Sequence, residues 1–133
     1  MLPLISAEMR VLVDQIVERI KDKVTIELKM EPEEMQIEGN ASCIDEKTDA
    51  ETCRWIRSQI ESGNDWAWCA TSVTATIGSY SGSDSLCGCS YHSEADFRTP
   101  GGYFSDMVSE ATEACAYEIA LSIETLRKLE LIP

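Results

Sequence analysis

Trp66-Ala67-Trp68-Cys69-Ala70-Thr71-Ser72-Val73-Thr74-Ala75-Thr76-Ile77 is the most strand-like run in the chain. Side chains alternate along a strand. Trp66, Trp68, Ala70, Ser72, Thr74 and Thr76 therefore share one face, and Ala67, Cys69, Thr71, Val73, Ala75 and Ile77 share the other. The second face is apolar and small, which suits a helix pressed against it. The first begins aromatic and becomes hydroxyl-rich. Residues 78–85 (Gly-Ser-Tyr-Ser-Gly-Ser-Asp-Ser) read as a flexible loop by their turn chemistry. Residues 86–91 return as a second strand, so a hairpin forms the centre onto which the rest of the chain is expected to pack.

Helical patterns flank this hairpin. A first helix over residues 6–22 is predicted by an apolar stripe at steps of three and four: Met9, Leu12, Val13, Ile16, Val17, Ile20 and Val24, with Ser6 as N-cap. The stripe is wide for a lone surface helix, so it is either fully docked on the sheet or shared with a second chain, and a homodimer is expected. Residues 25–30 alternate polar and apolar as a half-buried strand does, and residues 31–34 break it at Pro32. Residues 35–40 read as a further short strand, paired across the Pro32 turn, and residues 38–42 as a loop.

Thr48-Asp49-Ala50-Glu51 has the form of a capping box and predicts a helix from residue 48 to 62, closed by Gly63. Ser93 begins a capped single turn over residues 93–97, and residues 99–102 make a sharp break. A last helix is expected over residues 105–129, with Phe104, Val108, Ala111, Cys115, Ile119, Ile123, Leu126 and Leu129 as its apolar stripe. The fold class is α+β: an antiparallel sheet of three to four strands, with the N-terminal and the long C-terminal helix on one face. At 133 residues it is expected to be a single domain.

The charge balance narrows the functional classes. Eleven basic against 24 acidic residues give a net charge of −13. The skew is regional, because residues 61–126 hold ten acids and one base, Arg98. Binding a nucleic-acid backbone needs clustered Lys and Arg, so no direct nucleic-acid contact is expected. A basic protein partner, mimicry of nucleic-acid charge and plain solubility all fit. The opening Met1-Leu2-Pro3-Leu4-Ile5 lacks the basic segment and cleavage site of a secretory leader. No apolar run approaches the roughly eighteen residues of a membrane span. A cytoplasmic location follows as the expectation, with the six cysteines as reduced thiols.

Three constellations could carry chemistry. Asp106, Glu110 and Glu113 form an acidic row on the last helix, a face for a protein partner. Trp66 and Trp68, with Arg54 and Arg57 close before them, could grip an anionic small molecule, unless the tryptophans are core. Cys87, Cys89 and His92 bring two thiols and the single histidine within six residues, with Cys69 as a further ligand. Zinc favours such donors, but the one-residue gap departs from the usual spacing and also fits small core side chains. The same histidine beside Cys43, Cys69, Cys87 or Cys89 could serve thiol catalysis. Nothing marks out one cysteine, and neither a phosphate-binding loop nor a dinucleotide fingerprint is present. No cofactor is expected.

The order Asn64-Asp65-Trp66-Ala67-Trp68-Cys69, Cys87-Gly88-Cys89-Ser90-Tyr91, Phe97 and Gly101-Gly102-Tyr103-Phe104-Ser105-Asp106-Met107 resembles small phage- and plasmid-borne proteins of unassigned function. The resemblance covers about residues 48–120. It implies a mobile-element accessory protein in a bacterial cytoplasm, where small acidic proteins often inhibit host defence. The leading expectation is a non-enzymatic binding protein that engages a nucleic-acid-binding host complex through protein contact or charge mimicry. A nucleotide-like small-molecule binding module is second, and a thiol or metal-dependent enzyme is third.

Overall fold

The computed structural model describes residues 4–41 and 45–133. Cys43, the end of the 38–42 loop and the first three residues lie outside the described residues, and with them the readings placed there. The elements run α1 (Ala7–Ile20), β1 (Thr25–Pro32), α2 (Glu46–Glu61), a 3₁₀ turn (Asp65–Ala67), β2 (Cys69–Ile77), β3 (Tyr80–Cys89), α3 (Glu94–Phe97) and α4 (Tyr103–Lys128). The strands form one antiparallel sheet in the order β1-β2-β3, with α1 and α4 packed against it, so the fold is α+β. The chain divides into two compact units. The described residues of the first are 4–27, 73–84 and 106–133; those of the second are 28–41, 45–72 and 85–105.

In the first unit, α1 begins where its cap predicts: the Ser6 hydroxyl accepts the Met9 amide at 3.1 Å. Met9, Val13, Ile16 and Ile20 fill its buried face. The hairpin is tighter than the glycine- and serine-rich stretch suggests. Only Gly78 and Ser79 lie between β2 and β3, and residues 80–85, expected as loop, belong to β3. Gly78 carries a φ of 58°, the sign required at the first central position of a two-residue II′ hairpin turn. The small polar residues after it are strand residues whose alternate side chains face water.

The buried face of α4 differs from its expected stripe. Met107, Ala111, Thr112, Cys115, Ala116 and Ala120 are buried, whereas Leu126 and Leu129 are exposed. Smallness selects the face. A Cβ built on Gly82 would overlap the Cys115 amide nitrogen and the Ala111 carbonyl oxygen, so the helix backbone lies directly on β3. Larger side chains along that line would hold the two apart and forfeit the dispersion contacts of a dense interior.

The second unit is organised around aromatic rings. The tryptophan stretch is not one strand: Trp66 sits in the 3₁₀ turn, and β2 starts at Cys69. From there the expected alternation holds, with Cys69, Thr71, Val73 and Ala75 buried. Trp68 packs in a cluster with Ile37, Cys53, Ile56 and Ala67. Phe97, only 1% exposed, centres a second group, with Tyr91, Trp66 and Phe104 at ring distances of 5.0, 5.5 and 5.7 Å.

Residues 35–40 are not a strand, and no hairpin forms across Pro32. Side chains and turns satisfy this backbone instead. Glu33 accepts the amides of Glu34 and Met35 at 3.0 and 3.3 Å, Asp49 accepts the amide of Gly39, and Asn40 and Ala41 bond the Ile37 carbonyl. The Met35 carbonyl takes the Trp68 indole N–H at 2.8 Å. A segment whose backbone groups are met in this way needs no ladder. The start of α2 is corrected too. Asp45, not Thr48, is the N-cap, its carboxylate accepting the Thr48 amide at 2.7 Å, and the helix begins three residues earlier than a Thr48 cap would set it.

Candidate functional site

The acidic row lies on α4 in the first unit. Asp106 in the first turn and Glu110 one turn later are both exposed. Glu113 is half-buried and ion-paired with Arg10 of α1. Arg10 also bridges to Asp14 at 2.8 Å, and these two hydrogen-bonded carboxylates, Asp14 foremost, hold its guanidinium above the ordinary value. Asp106 and Glu110 are thus the exposed members of the row, and Glu113 links two helices. A partly exposed pair of this kind adds about 1 kcal/mol to stability.

The tryptophan and arginine residues do not converge on a ligand site. Trp68 is 3% exposed, and its indole N–H is already bonded, so it is core. Trp66 is half-buried against Phe97. Arg57 is ion-paired with Glu38, and that hydrogen bond lowers the Glu38 carboxyl below its ordinary value. Arg54 is exposed on α2.

Cys87, Cys89 and His92 are likewise kept apart. Gly88, with a φ of 62°, breaks the alternation of β3, so Cys87 is exposed and Cys89 buried instead of sharing a face. The Gly88 amide is taken by the Glu33 carboxylate at 2.7 Å, which pins the distorted backbone. His92 packs edge-on against Trp55 at 4.9 Å. Its backbone donates to Asp96 and accepts from Asn64. Among the described residues no group of three or more His, Cys, Asp or Glu side chains could hold a metal ion.

The same inversion at Gly88 brings together a pair that the spacing does not announce. Cys89 turns inward at the end of β3, onto the buried face that Cys69 and Thr71 occupy on β2. Cys69 is fully buried and Cys89 is 4% exposed. The Thr71 hydroxyl lies 3.7 Å from the Cys89 sulfur. The two thiols titrate together. The neighbouring Cys69 thiol, helped by Thr71, lowers Cys89 to about 7 against the pull of burial. The neighbouring Cys89, followed by burial, raises Cys69. When the pair loses a proton, the charge rests on Cys89. Glu33 opposes ionisation of both. Nearby Tyr91 is raised, chiefly by burial and next by the charge of Cys89. The available signal in the sequence was the glycine between Cys87 and Cys89, since glycine is the residue that most readily breaks strand parity.

No family model matches the chain, and neither a curated protein nor a solved structure matches it significantly.

Proposed function

We propose that this is a non-enzymatic acidic binding protein that acts by contact with a basic protein surface, one that otherwise holds nucleic acid. The observation that carries this reading is the regional charge: ten acids against Arg98 across residues 61–126, with Asp106 and Glu110 exposed one helical turn apart on α4. Two carboxylates roughly 6 Å apart along a rigid helix present a fixed anionic edge. A partner that has lost its phosphate contacts can pair with such an edge, and complementary charge speeds and orients the encounter. The resemblance to phage- and plasmid-borne proteins supports a host defence complex as the partner and a bacterial cytoplasm as the setting. Self-association belongs to the same reading and rests on α1, where Leu12 and Val17 stay half-exposed beside the buried stripe.

Capture from bacterial lysate tests the proposal. The immobilised protein is expected to retain a nucleic-acid-binding complex that elutes with salt. The pair Asp106→Lys and Glu110→Lys should reduce retention at least tenfold. The pair Glu51→Lys and Glu61→Lys, an equal charge change on exposed positions of α2, should leave most of it. Retention that survives reversal of the α4 pair would sink the proposal.

A further inference from the structure

We propose that Cys69 and Cys89 are a redox site of the second unit, closing reversibly to a disulfide between the start of β2 and the end of β3 when a peroxide reaches them. The hairpin register supports the juxtaposition. The Thr74 and Ser83 hydroxyls meet at 3.0 Å near the turn, and the Tyr91 amide bonds the Trp66 carbonyl at 2.8 Å at the open end. Cys69 and Cys89 lie between these ties, towards the open end, and the distortion at Gly88 swings Cys89 onto the face of Cys69 and Thr71. The Thr71 hydroxyl, two residues along the same buried face from Cys69, lies 3.7 Å from the Cys89 sulfur, so Cys89 sits over that face.

The environment divides the roles. Cys69 and Thr71 beside it lower the Cys89 thiol, which makes Cys89 the readier of the two to attack as thiolate. Its attack on hydrogen peroxide breaks the O–O bond, forming a Cys89 sulfenic acid and releasing hydroxide. Cys69 then gives its proton to that hydroxide and attacks the Cys89 sulfur. The S–O bond breaks, the S–S bond forms, and the departing hydroxyl takes up a proton as water. Two thiols and one peroxide become one disulfide and two waters. The exposed Cys87, two residues away, faces the other side of the sheet and takes no part.

The test uses the full, reduced chain treated with hydrogen peroxide, alkylated under denaturing conditions and mapped without reduction. No Lys or Arg lies between Arg57 and Arg98, so trypsin leaves all three hairpin cysteines in one peptide, and a second cleavage at Tyr80 or Asp84 separates Cys69 from Cys89. The expected product joins the fragments holding Cys69 and Cys89, leaves Cys87 alkylated, lowers the count of titratable thiols by two and reverts with dithiothreitol. Formation should quicken as pH rises through about 7, where Cys89 ionises. Cys87→Ser should form the same link. A link through Cys87, or Cys69 and Cys89 both still alkylatable after Cys87 has been oxidised, would overturn the assignment. The wild-type map is decisive even if Cys69→Ser or Cys89→Ser does not fold.

Discussion

The two units reach a dry interior by opposite means. In the first, a helix lies on a strand with little between them: Gly82 under the Ala111–Cys115 turn, then Ala116 and Ala120. In the second, large rings occupy the interior, and polar side chains hold an irregular backbone around them: Glu33 on Gly88, Asp49 on Gly39, Trp68 on Met35. Close approach stabilises the first through many backbone-level contacts and tolerates no added atom. Ring burial stabilises the second through a few large side chains, each of which would leave a void if truncated.

That contrast can be broken most forcefully at Phe97. Phe97→Ala removes the ring that three other aromatics touch and is expected to cost about 4 kcal/mol, read from the urea midpoint. Gly82→Ala is the counterpart in the first unit. One methyl group is added, and about 3 kcal/mol is lost, because the obstructing atoms are helix backbone and have no rotamer to yield. An unchanged midpoint for Gly82→Ala would remove the close-approach account. Trp68→Phe sharpens the second half of the comparison. It keeps most of the ring but strands the Met35 carbonyl, and should cost about 2 kcal/mol.

The smallest effect concerns the cap of α2. Asp45→Ala should lower the midpoint at neutral pH, whereas Thr48→Ala should hardly move it. The Asp45 carboxyl is held below its ordinary 3.8, first by the Thr48 amide hydrogen bond. A carboxyl with a lowered folded pKa contributes fully above the unfolded value and loses its contribution as pH falls through the folded one. The gap between wild type and Asp45→Ala should therefore narrow below pH 3.8.

The same contrast explains how much the sequence disclosed. Periodicity and caps located α1, α4, α3 and the buried side of β2, because those depend on neighbours three or four residues away, or two along a strand. The packed face of α4 was hidden because the stripe of larger residues outweighs alanines on any hydrophobic scale, and only the strand beneath shows that small side chains are needed. Residues 35–40 alternate as a strand does, but Glu33 and Asp49, placed by tertiary structure, take the amides that a ladder would have used. Of the candidate sites, the acidic row was legible as helical spacing. The pairing of Glu113 with Arg10 was not, since it joins elements far apart in the chain. That Cys89 turns to the buried face of Cys69 and Thr71 depends on one positive φ at Gly88.

The measurement that bears most directly on the functional account is competition at fixed ionic strength. With the captured host complex bound to the immobilised protein, a nucleic-acid duplex is titrated in. A surface that imitates phosphate charge predicts displacement in proportion to duplex occupancy, and no displacement by an uncharged polymer of equal size. A complex that holds the duplex and this protein together, with neither weakening the other, would contradict it.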